Sequence, residues 1–272
     1  MTLTQTLLLV VLGLLSGFIN MFAGGGSMLV VPFLIFLGLP ANVANATNRV
    51  AIFLQNIVST TTFKQKKIIE FKTDYKLLVP TSLGSVIGAY AAVDIQEDIL
   101  EKVIGGLLII MFFMVLFDPN TWIKTNIEHP KAKNPILRFM IFFGIGFYGG
   151  FIQIGVGFFM LAGLVLGCGF DLLKANALKV FLILIYTAIA LIIFSQHELI
   201  NWQTGLILSC GNMTGAWIGA RLSVKWGARY IRYIGIFSKC PYKIQWHMKM
   251  TRYNHFICHF YCHFSVFSHI LL

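Results

Sequence analysis

Arg49, in ANATNRVAIFLQN, and Lys179, in ANALKVFLI, each lie within or at the edge of a long apolar stretch. An ionisable side chain at membrane depth is costly and marks a function by default. Both are cations, so the natural partner is an anion. Snorkelling of a long stem to the interface is the alternative for either one alone, but it accounts less well for two that recur at nearly equivalent places of a repeat. Each follows a glycine-rich interruption of an apolar run. The first is FAGGGSMLVVP at 22–32, with Gly24, Gly25 and Gly26; the second is IGVGFFML at 154–161, with Gly155 and Gly157. A glycine costs a helix about 1 kcal/mol relative to alanine, and irregular backbone at membrane depth survives only where it is buried in protein or lines a wet cavity. A helix restarting after Gly26 or Gly157 would turn unpaired N–H groups and the positive end of its dipole into that cavity, a cradle for an anion. Neutral donors stand close in sequence: Asn20 and Gln153 before the breaks, and Asn45, Thr47, Asn48, Gln55 and Asn176 on the segments that follow. For any single Asn or Gln, bridging between helices is the commoner role; the cluster is what points to a ligand. The expected binding set is therefore the five break glycines with Asn45, Asn48, Arg49, Gln153, Asn176 and Lys179.

The elements that must position these residues are membrane helices. Of 272 residues, 57% are hydrophobic and 11% charged, against about 25% charged in a soluble domain. Apolar runs at 5–23, 27–37, 49–63, 77–93, 103–117, 135–153, 157–167, 177–194 and 205–220 mostly have the length to cross, or nearly cross, a core of about 30 Å. The chain reads as an all-α, polytopic membrane protein. Its amino terminus, MTLTQTLLLVVLGLLSG, holds no Lys or Arg and is followed by further apolar segments, so it reads as the first helix rather than a signal peptide. The net charge of +11 sits in short loops between apolar segments, where topology explains it better than a nucleic-acid partner does. Five cysteines without a secreted-domain spacing imply no disulfide framework.

The two halves match each other. At an offset of 131, Gly24, Gly26 and Gly38 fall on Gly155, Gly157 and Gly169, Ala44 to Ala46 on Ala175 to Ala177, and Phe63 and Gln65 on Phe194 and Gln196. After a four-residue shift, Gly84, Gly88 and Ala89 meet Gly211, Gly215 and Ala216; these Gly-x-x-x-Gly pairs read as close helix packing. The basic loops 64–76 and 118–138 read as cytoplasmic, and the acidic stretch 94–101 as external. In the second half the basic loop is 221–232, whereas 195–203 has no Lys or Arg, so the repeats read as inverted. That gives a first transmembrane repeat at 1–117, a basic cytoplasmic connection at 118–134 and a second repeat at 135–237. Inverted repeats with paired interruptions are mainly a transporter architecture, with the site near the midplane; plain duplication of a structural protein is the alternative.

From Ser238 the chain stops resembling its own first half. The composition shift across 238–272 reads as a frameshifted or otherwise altered carboxyl terminus. Within it, His255, Cys258, His259, Cys262 and His263 recur at spacings of three and four, which would suit zinc or copper on one helix face. A metal-handling membrane protein is thus an alternative function, and a passive anion channel another. The segment lacks the two separated ligand pairs of zinc fingers, so no metal site is assigned. Every Asp and Glu lies in or beside a loop, leaving no midmembrane carboxylate as proton relay. There is no Walker-type loop for ATP, and no catalytic set or cofactor motif in the repeated core.

The stretch GFINMFAGGGSMLVVPFLIFLGLPANVANATNRV, its basic loop and LGSVIGAYAA resemble the first half of the sulfite exporter TauE/SafE family of anion permeases. GFDLLKANALKVFLILIY and NWQTGLILSCGNMTGAWIGARL are similar to its second half. The resemblance covers about 8–237 and implies a secondary carrier of sulfite, sulfonates or related organosulfur anions in the bacterial inner membrane.

Overall fold

Apolar runs punctuated by glycine set the element order. The computed structural model describes residues 1–22, 24–68, 75–116 and 135–237, with the backbone alone at 75, 111–116 and 226–237; the His/Cys cluster of the tail lies outside them. Nine α-helices are described: α1 (Leu3–Phe22), α2 (Ser27–Phe36), α3 (Ala41–Gln65), α4 (Leu78–Asp94), α5 (Glu97–Leu116), α6 (Pro135–Phe151), α7 (Val156–Ala162), α8 (Leu172–Gln196) and α9 (Trp202–Phe237). A π turn, Gly163–Gly167, prolongs α7. Helices α1 and α8 are long and apolar enough to cross a membrane on length and composition alone, while α2, α4, α6 and α7 with its π turn are shorter apolar elements.

Each half opens in the same way: a helix, a glycine break, a short helix, then a helix of 25 residues, α3 or α8. The backbone repeats as the sequence does. Among the described residues those with φ in the left-handed region are Gly24, Gly38, Lys67, Gly155, Gly169 and Glu198. They form three pairs, each 131 residues apart. Lys67 and Glu198 close α3 and α8 with one hydrogen-bond pattern, the amide of the next residue reaching back to Phe63 O or Phe194 O. At the other end, Asp171 Oδ1 accepts from Leu173 N and Lys174 N at 3.0 Å and caps α8. Its repeat equivalent is Pro40, which has no such oxygen; there Glu97 Oε1, from the start of α5, accepts from Ala41 N at 3.2 Å.

The two halves are cross-packed. Helix α4 lies on α6 and α8, and α3 lies on α8. The glycines expected to pack do so: Gly84 and Gly88 meet the α6 backbone at Phe143 and Phe147, and Gly211 and Gly215 meet that of α1 at Val10 and Leu14. In return, Gly146 and Gly150 of α6 meet Thr81 and Ser85, and Gly13 and Gly17 of α1 meet Leu208 and Asn212. A helix with glycine on its contact face admits its neighbour's main chain, which is how helices associate where lipid supplies no hydrophobic drive.

Candidate functional site

The two glycine breaks meet. Gly24 and Gly157 are in backbone contact, so close that a Cβ added at Gly24 would stand 2.5 Å from Gly157 Cα. The left-handed φ of Gly24, +73°, and of Gly155, +69°, turns each chain into its following helix. The second restart comes after Gly155 rather than Gly157, which lies inside the first turn of α7. Neither restart has a side-chain cap. The Gly26 amide donates to Asn20 Oδ1 at 2.7 Å, so the first break is tied to the helix that precedes it.

The cations serve the broken helices first. Arg49 Nη1 donates to Gly149 O at 2.8 Å and to Gln153 Oε1 at 3.1 Å, and Nη2 to Gly150 O at 2.7 Å. Lys179 Nζ donates to Asn20 O at 3.0 Å. The last carbonyls of a helix have no partner within it and carry the negative end of its dipole. Each long helix thus sends a cation to the end of the other half's broken helix: Arg49 of α3 to α6, and Lys179 of α8 to α1. Arg49 also stands 4.7 Å from the centre of the Phe194 ring. Arg49 is 0% and Lys179 1% exposed, and no Asp or Glu is buried among the described residues.

Polar pairs extend this symmetry. Asn20 Nδ2 donates to Gln55 Oε1 at 3.3 Å, and Gln153 Nε2 to Tyr186 Oη at 3.1 Å; Gln55 and Tyr186 are 131 residues apart. Between the breaks lies a small, partly open cavity of about 20 Å³, room for about one water molecule. Of the expected binding residues, Gly24, Gln153, Gly157 and Lys179 line it, joined by Asn20, Ser27, Gln55 and Asn56. Gly25, Gly26 and Gly155 stand just outside this lining. Arg49 is one hydrogen bond removed, through Gln153. Asn45 braces the second break: its Nδ2 donates to Phe151 O at 2.9 Å and its Oδ1 accepts from Gln153 N at 3.4 Å. Asn48 and Asn176 are fully buried, and both amide atoms of each lack a partner.

Sequence reasoning passed over Tyr186, Ser27 and Asn56. A signal existed for Tyr186, which brings a hydroxyl into the apolar run FLILIYTAIALIIF at the repeat position of Gln55. Ser27 and Asn56 gave none beyond their polarity. Among the described residues no group of His, Cys, Asp and Glu could hold a metal ion.

Cross-packed helices interrupted at a shared point, with buried cations and exposed carboxylates, suit a multi-pass membrane transport protein. The chain belongs to the sulfite exporter TauE/SafE family, whose model matches residues 9–237. The match ends where the internal repeat loses its register. The chain is 32% identical over 222 residues to the probable membrane transporter protein YfcA of Escherichia coli (strain K12), covering 80% of this chain and 81% of that one. It is 27% identical over 224 residues to the probable membrane transporter protein ORF9 of Sinorhizobium sp, covering 82% and 85%. With YunE of Bacillus subtilis (strain 168), a protein of the same description, it shares 26% identity over 244 residues, 79% of this chain and 86% of that one. No solved structure matches it. The chain is thus a multi-pass protein of the bacterial inner membrane.

Proposed function

We propose that this protein is a secondary transporter that moves a small anion, of the class of sulfite, a sulfonate or a related organosulfur compound, across the cytoplasmic membrane by alternating access. The observation that carries the reading is the charge imbalance at the breaks: two buried cations and no buried carboxylate among the described residues. A buried charge without a counterion is strongly unfavourable, and an anion between the breaks would relieve it. Lys179 is the better placed ligand, because its ammonium lines the cavity and has three donors, of which one is given to Asn20 O. Arg49 holds Gln153 and the α6 end in place. The amides of Asn48 and Asn176, and the backbone N–H groups at Gly24, Gly25, Gly155 and Gly157, supply further hydrogen bonds, while Gly26, whose N–H is held by Asn20 Oδ1, shapes the first break and Asn45 braces the second. A cavity of about one water is too small for a sulfite-sized oxyanion, which on this reading enters when the two repeats, 1–117 and 135–237, rock apart as inverted units about the crossing.

The test is uptake of sulfite and of an alkylsulfonate into proteoliposomes carrying the full chain. Saturation and counterflow are expected. Flux that rises linearly with concentration and shows no counterflow identifies a passive channel and rejects the carrier.

A further inference from the structure

Four side-chain amides line the cavity between the breaks: Asn20, Gln55, Asn56 and Gln153. Three of their oxygens have a donor from the protein. Asn20 Oδ1 accepts from Gly26 N, Gln55 Oε1 from Asn20 Nδ2, and Gln153 Oε1 from Arg49 Nη1. The fourth has none. Asn56 is 1% exposed, its Oδ1 is buried, and no protein group donates to it. The amide is also fixed in orientation. Asn56 Nδ2 donates to Ile52 O, one turn back on α3, at 2.8 Å, and turning the amide over would set two acceptors against each other.

The lining thus presents two unlike groups to one small ligand. Beyond the N–H that Lys179 gives to Asn20 O, its ammonium has two donors for negatively charged oxygens. Asn56 Oδ1 is an acceptor and repels the same oxygens. A buried acceptor left without a donor costs more than a formed hydrogen bond gains, so a fully deprotonated oxyanion suits Lys179 and opposes Asn56. No Asp or Glu is buried among the described residues, so no carboxylic acid there supplies the hydrogen. We propose that the transported anion carries its own hydrogen-bond donor, received by Asn56 Oδ1 while the anion's oxygens face Lys179. The inference rests on the carrier reading above and narrows it. Of the two forms of sulfite, it selects hydrogen sulfite, so that the proton crosses the membrane on the substrate. Among sulfonates it selects those with a hydroxyl or amino group on the sulfur or the adjacent carbon.

The test compares sulfamate with methanesulfonate, monoanions of nearly the same shape that differ by an amino group in place of a methyl on the sulfur. Uptake of each is measured in proteoliposomes carrying the full chain. The wild type should show a KM for sulfamate about tenfold below that for methanesulfonate, the order of one buried hydrogen bond made or left unmade. Asn56→Ala and Asn56→Leu should erase the difference by raising the KM for sulfamate alone, since Ile52 O lies inside α3 and keeps its main-chain donor. Equal KM values in the wild type overturn the proposal and mean that a water serves Asn56. A preference retained by both variants overturns it too, by moving donor recognition to another residue. So does an equal loss of both anions in the variants together with a lowered Tm, which would make Asn56 a packing residue. If sulfamate, methanesulfonate and sulfite all fail to enter the proteoliposomes or to raise the Tm, the carrier reading falls and this inference with it; transport of both probes without preference sinks the inference alone.

Discussion

Gly24 and Gly157, 133 residues apart in sequence, touch backbone to backbone where the two broken helices cross. A Cβ at Gly24 would come within 2.7 Å of Phe158 N, and one at Gly157 within 2.6 Å of Gly24 Cα. Gly24 also holds φ at +73°. Alanine at either position should therefore lower Tm, by an amount worth about 1–3 kcal/mol, and reduce flux. Gly25 is the control: a Cβ there meets only the end of Met28, at 3.5 Å. Gly25→Ala should fold normally, as thermal unfolding in detergent would show.

Arg49 and Lys179 should respond differently to neutralisation. Arg49→Met leaves Gly149 O and Gly150 O without their partner and should cost about 1–3 kcal/mol for each stranded carbonyl, besides abolishing transport. Lys179→Met strands only Asn20 O, so its Tm should fall less while flux is lost. Sulfite should raise the Tm of the wild type and not that of Lys179→Met. Normal flux through either variant in proteoliposomes would remove that residue from the site.

The repeat, the breaks and the paired cations were all legible in the sequence because each is a matter of residue type at fixed spacing. The destination of the cations was not. Arg49 reaches carbonyls 100 and 101 residues away, and Lys179 one 159 residues away, and no local pattern announces such partners. Periodicity likewise marked α3 as apolar only from residue 49 on, whereas the helix begins at Ala41. Its polar first turns are buried against the other half, which the hydrophobic signal cannot register. Glycine content alone does not tell Gly155 from Gly157 as the restart of the second broken helix; the left-handed turn falls at Gly155.

Tyr186 should matter through its hydroxyl. Its Oη accepts from Gln153 Nε2 at 3.1 Å, and Gln153 in turn accepts from Arg49. Tyr186→Phe keeps the ring in its buried place and removes one hydrogen bond, worth about 1 kcal/mol. Expression and Tm should change little, while KM for the anion should rise about fivefold as Gln153 loses its anchor. An unchanged KM in the flux assay would mean that Gln153 is held well enough by Arg49 and Asn45.

The glycines of α4 and α5 separate packing from chemistry. Gly84 and Gly88 face the α6 backbone directly, so a side chain at either must push the helices apart. Gly88→Leu should fail to give folded protein, judged by a monodisperse peak in size-exclusion chromatography. At Gly105 and Gly106 on α5 an added methyl would meet nothing within 4 Å among the described residues. Alanine there should raise stability by up to about 1 kcal/mol each through helix propensity, with flux unchanged. If Gly106→Ala were as damaging as Gly88→Leu, close approach to α6 would not be what Gly88 provides. The glycines of α4 would then have to be explained by the backbone freedom they lend the helix.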